Sequence, residues 1–287
     1  MINIFYDTNL IDSVNIRGPF KVVKNLLKSL DDCSVEYAIN EEVYEYNLFL
    51  HWNNYTINTH YPNLKNKKNL LIGPQFWPWG EDIHKIDEYK KVIAPSKVTE
   101  SIMNTFFPEL KTGFWPVGIY APEIPLGSPT TDCLIYFKNR SDEDLLRVLD
   151  FVKNRNISYT GLQYGKYTQD EFRESLSEVK YCIVIDNTES QGIAIQEMMS
   201  VNKPLFVWNQ TEGYREDYLG NTHKITGSSI PYWSDECGEY VNTFNDFEEK
   251  FDVFLNNLDR YSPKKFIERE LSPQKSVQIL LDLFEND

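Results

Sequence analysis

Short apolar runs alternate with amphipathic helical segments along almost the whole chain, and this alternation restricts the fold more than any other sequence feature. In the first half, apolar strand-like runs occupy residues 2–6, 34–39, 46–50, 69–72 and 91–94, and helical periodicity occupies 20–30 and 98–106. In the second half, strands are predicted at 132–137, 157–159, 180–186 and 204–208, and helices at 142–154, 168–179, 191–201, 248–258 and 273–284. Apolar strands joined by helices predict α/β architecture with parallel sheets that are covered on both faces.

One segment interrupts the alternation. Residues 113–129 contain four prolines and three glycines and show no periodic pattern, which is typical of a linker. A chain of 287 residues is long enough for two moderate domains, one on each side of such a linker.

The charge restricts the class of ligand that the protein can bind, and the cysteines indicate the cellular compartment. The 29 basic and 43 acidic residues give a formal net charge of -14, which repels a polyanion, so nucleic acid is not expected as a partner. The four cysteines form no CxxC pair, which excludes the common zinc spacings and suits a reducing compartment. The N-terminus does not resemble a signal peptide and no apolar stretch is long enough to span a membrane, so a cytoplasmic protein is expected, with peripheral membrane contact left open.

The strand KYCIVID, the loop NTES and the helix that follows form the candidate ligand site. Gly192 at the helix start permits close approach of a ligand to the backbone, and the unpaired N–H groups of a first helical turn attract phosphate. Glu189 precedes the helix, whereas Glu197 stands roughly 8 Å inside it and leans back toward its start. Two carboxylates so placed suit the hydroxyls on either side of a diphosphate. The alternative is that Glu189 caps the helix and Glu197 is a solvated surface residue.

The stretch ESQGIAIQEMMSVNKPLFVW resembles the E-x7-E signature of retaining glycosyltransferases of the GT-B fold (glycosyltransferase family 4, or group 1, type). RGPFKVVKNLLKSL is similar to the family's N-terminal glycine-loop helix, KKVIAPSKVTESI to the end of its first domain, and FWPVGIYAPE to its interdomain segment. The resemblance covers most of the chain in order, but only the E-x7-E region is specific. It implies two Rossmann-like doubly wound domains facing a cleft: an acceptor domain at 1–118, a donor domain at 119–271, and a C-terminal helix at 272–287 that packs back toward the first domain.

The resemblance also implies roles for residues of the donor domain. Glu189 would contact the transferred sugar and Glu197 the ribose, while backbone groups hold the diphosphate at Gln191, Gly192, Ile193 and Ala194. The family places an arginine and a lysine after the first strand of this domain to neutralise the leaving phosphates. Here YFKNRSDED offers Lys138 and Arg140 at a shorter spacing, and a surface salt bridge is their alternative role.

Further implied positions lie around the base and the acceptor. The base is expected near Tyr164 and Gly165, where Tyr164 or Tyr167 would stack on it unless these tyrosines pack in the core. In the first domain, Gly18 would allow close approach of donor or acceptor. His51 matches a histidine frequent in relatives and would be catalytic, with a purely structural role as the alternative. A second histidine of the family is absent. Candidate acceptor-binding residues in these loops are Trp52, Gln75, Trp77 and Trp79.

The sequence therefore predicts an enzyme that transfers a sugar from a nucleoside diphosphate to a hydroxyl of a carbohydrate or glycoconjugate, with retention at the anomeric carbon. No cofactor or metal site is expected, because no convincing cluster of metal ligands is found. A sugar-nucleotide epimerase and a catalytically degraded glycan- or nucleotide-binding protein remain alternatives, and DNA glucosylation is opposed by the charge. The aromatic segment 228–238 has no assigned role.

Overall fold

The computed structural model describes residues 1–8, 18–41, 45–50, 69–74, 88–216 and 220–286. The chain divides into two compact units. The first consists of Met1–Gly118, Tyr214–Thr226 and Leu271–Asp287, and the second of Ile119–Gly213 and Gly227–Glu270. Among the described residues, no helix combines the length and the apolar character needed to cross a membrane.

The first unit is built on a six-stranded parallel sheet. Its strands are β1 (Ile2–Phe5), β2 (Tyr37–Ile39), β3 (Tyr46–Phe49), β4 (Leu70–Ile72), β5 (Lys91–Ala94) and β6 (Thr112–Phe114), in the order β2-β1-β3-β4-β5-β6. Helices α1 (Gly18–Asp32) and α2 (Lys97–Phe106) connect strands of this sheet. Strands β1 and β4 are buried along their whole length, which explains why their sequences are apolar runs rather than alternating patterns.

The second unit contains a five-stranded parallel sheet. In chain order the remaining strands are β7 (Thr131–Lys138), β8 (Tyr159–Gln163), β9 (Val179–Asp186), β10 (Leu205–Trp208), β11 (Glu212–Glu216), β12 (Thr222–Thr226) and β13 (Gly238–Val241). Strands β11 and β12 form a separate two-stranded sheet, most of which lies in the segment Tyr214–Thr226 of the first unit. The other five strands form the sheet of the second unit in the order β13-β10-β9-β7-β8. The helices are α3 (Asp142–Asn154), α4 (Gln169–Glu178), α5 (Ile193–Ser200), α6 (Phe247–Asn256) and α7 (Pro263–Glu270).

Counted from its own first strand, the first sheet has the doubly wound order 2-1-3-4-5-6 and the second sheet the order 2-1-3-4-5. In this topology successive connections leave in opposite directions between the first and third strands, and ligands bind outside the carboxyl ends of the strands at that switch point. The switch point lies between β1 and β3 in the first unit and between β7 and β9 in the second. The strand order therefore selects the ends of β7 and β9 as the place to search for a site.

An aromatic core fixes the helices of the second unit against its sheet. Phe206 on β10 packs edge-on against Phe247 and Phe251 of α6, with ring centroids 4.8 and 5.0 Å apart. All three rings are fully buried. The burial of such rings is the main stabilising term that holds β10, and hence the loops at its carboxyl end, in place.

The C-terminal helix α8 (Pro273–Glu285) belongs to the first unit. The indole of Trp115 donates a 2.9 Å hydrogen bond to the carbonyl of Ser276, whose hydroxyl donates to the carbonyl of Pro116 at 2.7 Å. A Cβ on Gly118 would lie 2.7 Å from the Cα of Pro273, so the backbones approach too closely for any side chain at this position. The helix is therefore anchored on the segment that ends the first stretch of the chain.

Several elements differ from the sequence prediction. Strand β6 extends into the first two residues of the predicted linker, and β8 begins at the last residue of its predicted range. The elements β11, β12, β13 and α7 were not predicted. Strands β8 and β13 are the edges of their sheet and are partly exposed, so neither contains the apolar run by which a buried strand is recognised. The hairpin strand β11 reads EGYRE, which is too polar to be recognised as a strand.

Candidate functional site

An ammonium group and a carboxyl group meet at the carboxyl edge of the second sheet. Lys138 and Asp186 are the last residues of β7 and β9, and the register of these two strands pairs them directly. The Lys138 Nζ lies 4.0 Å from the Asp186 Oδ2, and the two side chains are only 16% and 1% exposed. Both groups are thus withdrawn from water at the switch point of the sheet.

The loop that follows β9 brings Glu189 to the same place. The Asn187 side chain donates to the carbonyl of Asn139 at 3.1 Å, which ties the loops after β7 and β9 together. The Glu189 N–H donates to the carbonyl of Ser228 at 2.8 Å. Its carboxylate is turned back toward the sheet and forms an ion pair with Lys138. Lys138 and Glu189, which were proposed from the sequence as separate ligand contacts, are therefore direct partners.

Gly192 forms the turn at which helix α5 begins. Its backbone is left-handed, with φ 81° and ψ 46°, and among the described residues no acceptor bonds the N–H groups of Ile193 and Ala194. The turn is only partly open, because Gln191 is buried while Glu189 and Ala194 keep partial exposure. The Gln191 side chain is directed inward and donates to the side-chain oxygen of Gln196 at 3.1 Å. The region from 189 to 194 thus presents two partly exposed positions rather than a wide open surface.

Substituting Gly192 by alanine tests the left-handed turn. A Cβ there would meet no atom closer than 3.8 Å, so the penalty comes from the backbone alone. We expect Gly192→Ala to lower the free energy of unfolding by about 1–2 kcal/mol in urea titrations, the usual cost of a left-handed conformation for a residue with a Cβ. Gly127→Ala, where a Cβ meets nothing within 4 Å, is the matched control and should be neutral. Equal stabilities of the two variants would show that the turn has no need of glycine.

Glu197 lies on α5 and is buried, with 9% of its surface exposed. The alternative that it is a solvated surface residue is therefore wrong. Its carboxylate is close enough to Tyr167 to influence that phenol: burial first, and then the charge of Glu197, raise the pKa of Tyr167 to about 12. Tyr167 itself stacks on Phe172 at 5.7 Å between ring centroids, so it packs in the core.

Tyr164 stands beside the Lys138 ammonium. Residues 163–166 form a turn closed by a 2.9 Å bond from the Lys166 N–H to the Gln163 carbonyl, with Gly165 left-handed at φ 78°. This turn leaves Tyr164 39% exposed, and the Lys138 Nζ lies 4.6 Å from its ring centroid. A cation over an aromatic face is mutually stabilising. Of the two tyrosines considered for base stacking, Tyr164 is the exposed one.

Arg140 is buried and uses its guanidinium within the protein. Its Nε donates to Asp144 at 2.8 Å, and one NH2 group donates to the carbonyls of Asp186 and Trp208, each at 3.3 Å. The guanidinium also lies 4.6 Å from the Trp208 ring centroid. These contacts hold the ends of β9 and β10 together. The ion pair with Asp144 is a salt bridge, as the alternative role supposed, but the arginine side chain is only 8% exposed. The phosphate contact of Arg140 stays a prediction.

The charges of the cluster influence one another strongly. Burial alone would lower the pKa of Lys138, but the carboxylates of Glu189 and Asp186 outweigh burial and raise it above its ordinary value. Burial, followed by the charge of Glu189, raises the pKa of Asp186 far above that of an exposed aspartate. Lys138 therefore remains an ammonium, available to a second anion.

Sequence reasoning missed the residues that support this cluster. Asn209 accepts hydrogen bonds from the Ser228 hydroxyl at 3.1 Å and from the Ser229 N–H at 2.8 Å, and the Ser229 hydroxyl donates to the Asp186 carbonyl at 2.9 Å. The start of the segment 228–238 thus fixes the loop of Glu189. Asp186 could have been identified from the sequence, because it is a lone carboxylate at the end of an apolar strand. No sequence feature distinguishes Ser228 and Ser229 from other serines in loops.

Five predicted residues of the first unit, His51, Trp52, Gln75, Trp77 and Trp79, lie outside the described residues. Gly18 is the first residue of α1, and a Cβ there would meet no described atom within 4 Å. Packing against the described residues therefore does not require a glycine at this position.

The two doubly wound parallel units define the GT-B fold class, as the sequence predicted. A TarM mutant from S. aureus, solved with fondaparinux, α-GlcNAc-glycerol and UDP, aligns with a TM-score of 0.52 at 12% identity over 93% of this chain and 59% of that chain. Another TarM structure gives 0.55 at 12% identity over 93% and 58%, so this chain spans less than two thirds of either. Sucrose-phosphate synthase from Thermosynechococcus elongatus gives 0.56 at 11% identity over 100% of this chain and 99% of the other. No protein-family model and no characterised protein matches the sequence. Identities this low establish the shared fold alone.

Proposed function

We propose that this protein is a glycosyltransferase that moves a sugar from a nucleoside-diphosphate sugar to a hydroxyl acceptor. The observation that carries the proposal is the arrangement at the switch point of the second unit. There the left-handed turn at Gly192 opens a helix beside the Lys138 ammonium, and Glu189 and Glu197 lie before and inside that helix.

The diphosphate is assigned to Lys138 and the start of α5. The unbonded N–H groups of Ile193 and Ala194 and the helix dipole favour an anion, and an ammonium adds a charge-assisted contact. Donors fixed in place before the reaction stabilise the negative charge that develops on a departing diphosphate. Lys138 must exchange Glu189 for phosphate in this scheme, so the ion pair of the free protein is a resting arrangement of the site.

The hydroxyl groups are assigned to the two glutamates and the base to Tyr164. A carboxylate accepts hydrogen bonds from hydroxyls, so Glu189 would orient the transferred sugar and Glu197 the ribose. Tyr164 offers an exposed ring next to Lys138 on which a base can stack. The TarM complex contains UDP, which makes UDP the first nucleotide to try.

The stereochemistry and the acceptor belong to the same proposal. We assign retention at the anomeric carbon, with the departing phosphate accepting the proton of the acceptor hydroxyl and no metal ion taking part. Turnover measured after chelation of divalent cations tests whether a metal ion takes part. Nuclear magnetic resonance of the first-formed product, before its anomers equilibrate, tests retention at the anomeric carbon.

UDP should raise the melting temperature, and Glu197→Gln should weaken that effect. A ligand at a hundred times its dissociation constant stabilises the folded state by about 2.7 kcal/mol, which corresponds to roughly 5–10 °C for a chain of this size. Loss of the charged partner of the ribose should weaken UDP affinity about ten- to a hundredfold, the equivalent of one charge-assisted hydrogen bond. Glu143→Gln, with the side chain 74% exposed on α3, is the matched control and should bind as the wild type does.

The outcomes separate the competing functions. An unchanged shift in Glu197→Gln would remove the ribose assignment, and the absence of any shift with UDP, GDP, ADP or TDP would contradict the proposal. Conversion of the donor without an acceptor would identify an epimerase instead. Tight donor binding with neither hydrolysis nor transfer would identify a binding protein.

A further inference from the structure

The Asp186 carboxyl has one oxygen whose hydrogen bonding is unexplained. Asp186 is 1% exposed, and its Oδ1 accepts the N–H of Asn187 at 2.7 Å. Its Oδ2 is buried and finds no donor N–H or O–H among the described residues. A buried polar atom without a partner is destabilising and rare, so this atom requires a physical explanation.

The surroundings of Oδ2 supply an acceptor rather than a donor. The Lys138 Nζ is 4.0 Å away, beyond hydrogen-bond range, and is already bonded to Glu189. The Lys138 Nζ forms ion pairs with both carboxyl groups, so Glu189 and Asp186 are close neighbours around one ammonium. In keeping with this, besides burial, the charge of Glu189 and a hydrogen bond to it raise the pKa of Asp186. Two carboxylates in contact cannot both be ionised without strong repulsion, so such a pair shares a proton.

Other neighbours do not compete for this proton. Tyr136 on β7 faces the cluster as a phenol, and burial raises its pKa well above the ordinary value, so it stays neutral. Arg140, in the loop after β7, bonds Asp186 at its backbone carbonyl and not at its carboxyl group. Within the part of the chain that the structure describes, the charged groups that bear on the Asp186 carboxyl are thus Lys138 on β7 and Glu189 in the loop after β9.

We propose that Asp186 holds a proton at neutral pH and donates it from Oδ2 to the Glu189 carboxylate, making Asp186 the positioning residue of the site. Asp186 and Lys138 then both donate hydrogen bonds to Glu189. The proton belongs on Asp186 because its side chain is 1% exposed against 10% for Glu189, which also bonds the ammonium. Burial, and then Glu189, raise the pKa of Asp186, in the direction this arrangement requires.

The arrangement has a consequence that rests on the proposed function. When a diphosphate draws Lys138 away, the Asp186 hydroxyl remains as the donor that orients Glu189 toward a sugar. An ionised Asp186 would instead compete with the diphosphate for the ammonium. UDP affinity in the wild type should therefore fall at high pH, where Asp186 loses its proton, and in Asp186→Asn it should not.

Stability as a function of pH tests the proton without any ligand. Because the pKa of Asp186 is raised in the folded state, the folded protein holds one more proton than the unfolded chain once the pH exceeds about 4, the ordinary aspartate value. The folding constant of the wild type should then fall by up to about tenfold per pH unit from this group, until its raised pKa is passed. The asparagine side chain of Asp186→Asn has the shape of a protonated aspartate and donates a hydrogen bond from its amide, but it does not titrate. The stability of this variant relative to the wild type should therefore rise with pH.

Asp132→Asn is a control of opposite sign. Hydrogen bonds from Lys180 and Ser158 lower the pKa of Asp132 to about 2. Above about pH 5 this residue is ionised in both the folded and the unfolded wild type, so the stability of Asp132→Asn relative to the wild type should not change with pH there. Carbon nuclear magnetic resonance tests the proton directly. The side-chain carboxyl resonance of Asp186 is assigned as the aspartate signal that disappears in Asp186→Asn. In the wild type, its chemical shift should be that of a protonated carboxyl group at neutral pH.

Each outcome is decisive. Parallel stability curves for the wild type and Asp186→Asn, or an Asp186 resonance that titrates near the ordinary value, would overturn the inference even if UDP binds. Diverging curves with no nucleotide binding would support the proton on Asp186 while overturning the proposed function.

Discussion

Lys138→Met should reduce sugar transfer at least about a hundredfold and lower the stability of the protein by about 3 kcal/mol. The loss of transfer follows because a preorganised donor to developing negative charge is worth a factor of about 10² to 10³. The loss of stability follows because the variant leaves the Glu189 carboxylate, whose side chain is only 10% exposed, without its ammonium partner. Breaking a buried ion pair by removing one partner is far more costly than never forming it. Initial rates with a labelled donor and chemical denaturation measure the two effects.

A double variant separates charge balance from catalysis. Lys138→Met combined with Glu189→Gln removes both charges, so it should recover much of the lost stability but none of the activity. Lys180→Met removes an exposed lysine paired with Asp132 and should change stability by less than about 1 kcal/mol. Transfer at the wild-type rate by Lys138→Met would eliminate the phosphate assignment. A double variant as unstable as the single one would show that the unpaired charge is not the cause.

Gly238→Ala should destabilise the second unit by at least about 4 kcal/mol, a loss that only severe steric or strain effects produce. Gly238 pairs with Leu205 where β13 joins β10, and its backbone has φ 140°. A Cβ at this position would lie 1.9 Å from the Leu205 carbonyl oxygen, so backbone rather than a flexible side chain would have to move. We expect low soluble yield and a melting temperature lowered by more than about 8 °C.

Gly161→Ala is the control for this substitution. It lies in the other edge strand, β8, where a Cβ meets nothing within 4 Å, and should change stability by less than about 1 kcal/mol. A Gly238→Ala protein that melts with the wild type would mean that β13 detaches from β10 without consequence for the unit.

The buried parts of the fold could be predicted from the sequence because their signal is local. The run KYCIVID is apolar since β9 is central in its sheet and buried on both faces, and Gly192 marks the following turn because few other residues adopt a left-handed backbone. The edge strands β8 and β13 were misplaced or missed for the opposite reason. One side of an edge strand faces solvent, so its sequence carries little of the pattern that identifies a strand.

The same distinction between local and long-range information applies to the candidate site. The sequence by itself determined that a strand, a loop and a glycine turn precede a helix flanked by Glu189 and Glu197, because all of these lie within twenty consecutive residues. Only the tertiary structure decided the partners. Lys138 and Glu189 are 51 positions apart and meet because β7 and β9 pair in register. Lys138 and Arg140 are neighbours in sequence, but the left-handed Asn139 between them turns the chain, so Arg140 is directed to β10 while Lys138 stays at the site. Pairing across a sheet depends on which strands lie side by side, and no local pattern of residues encodes that.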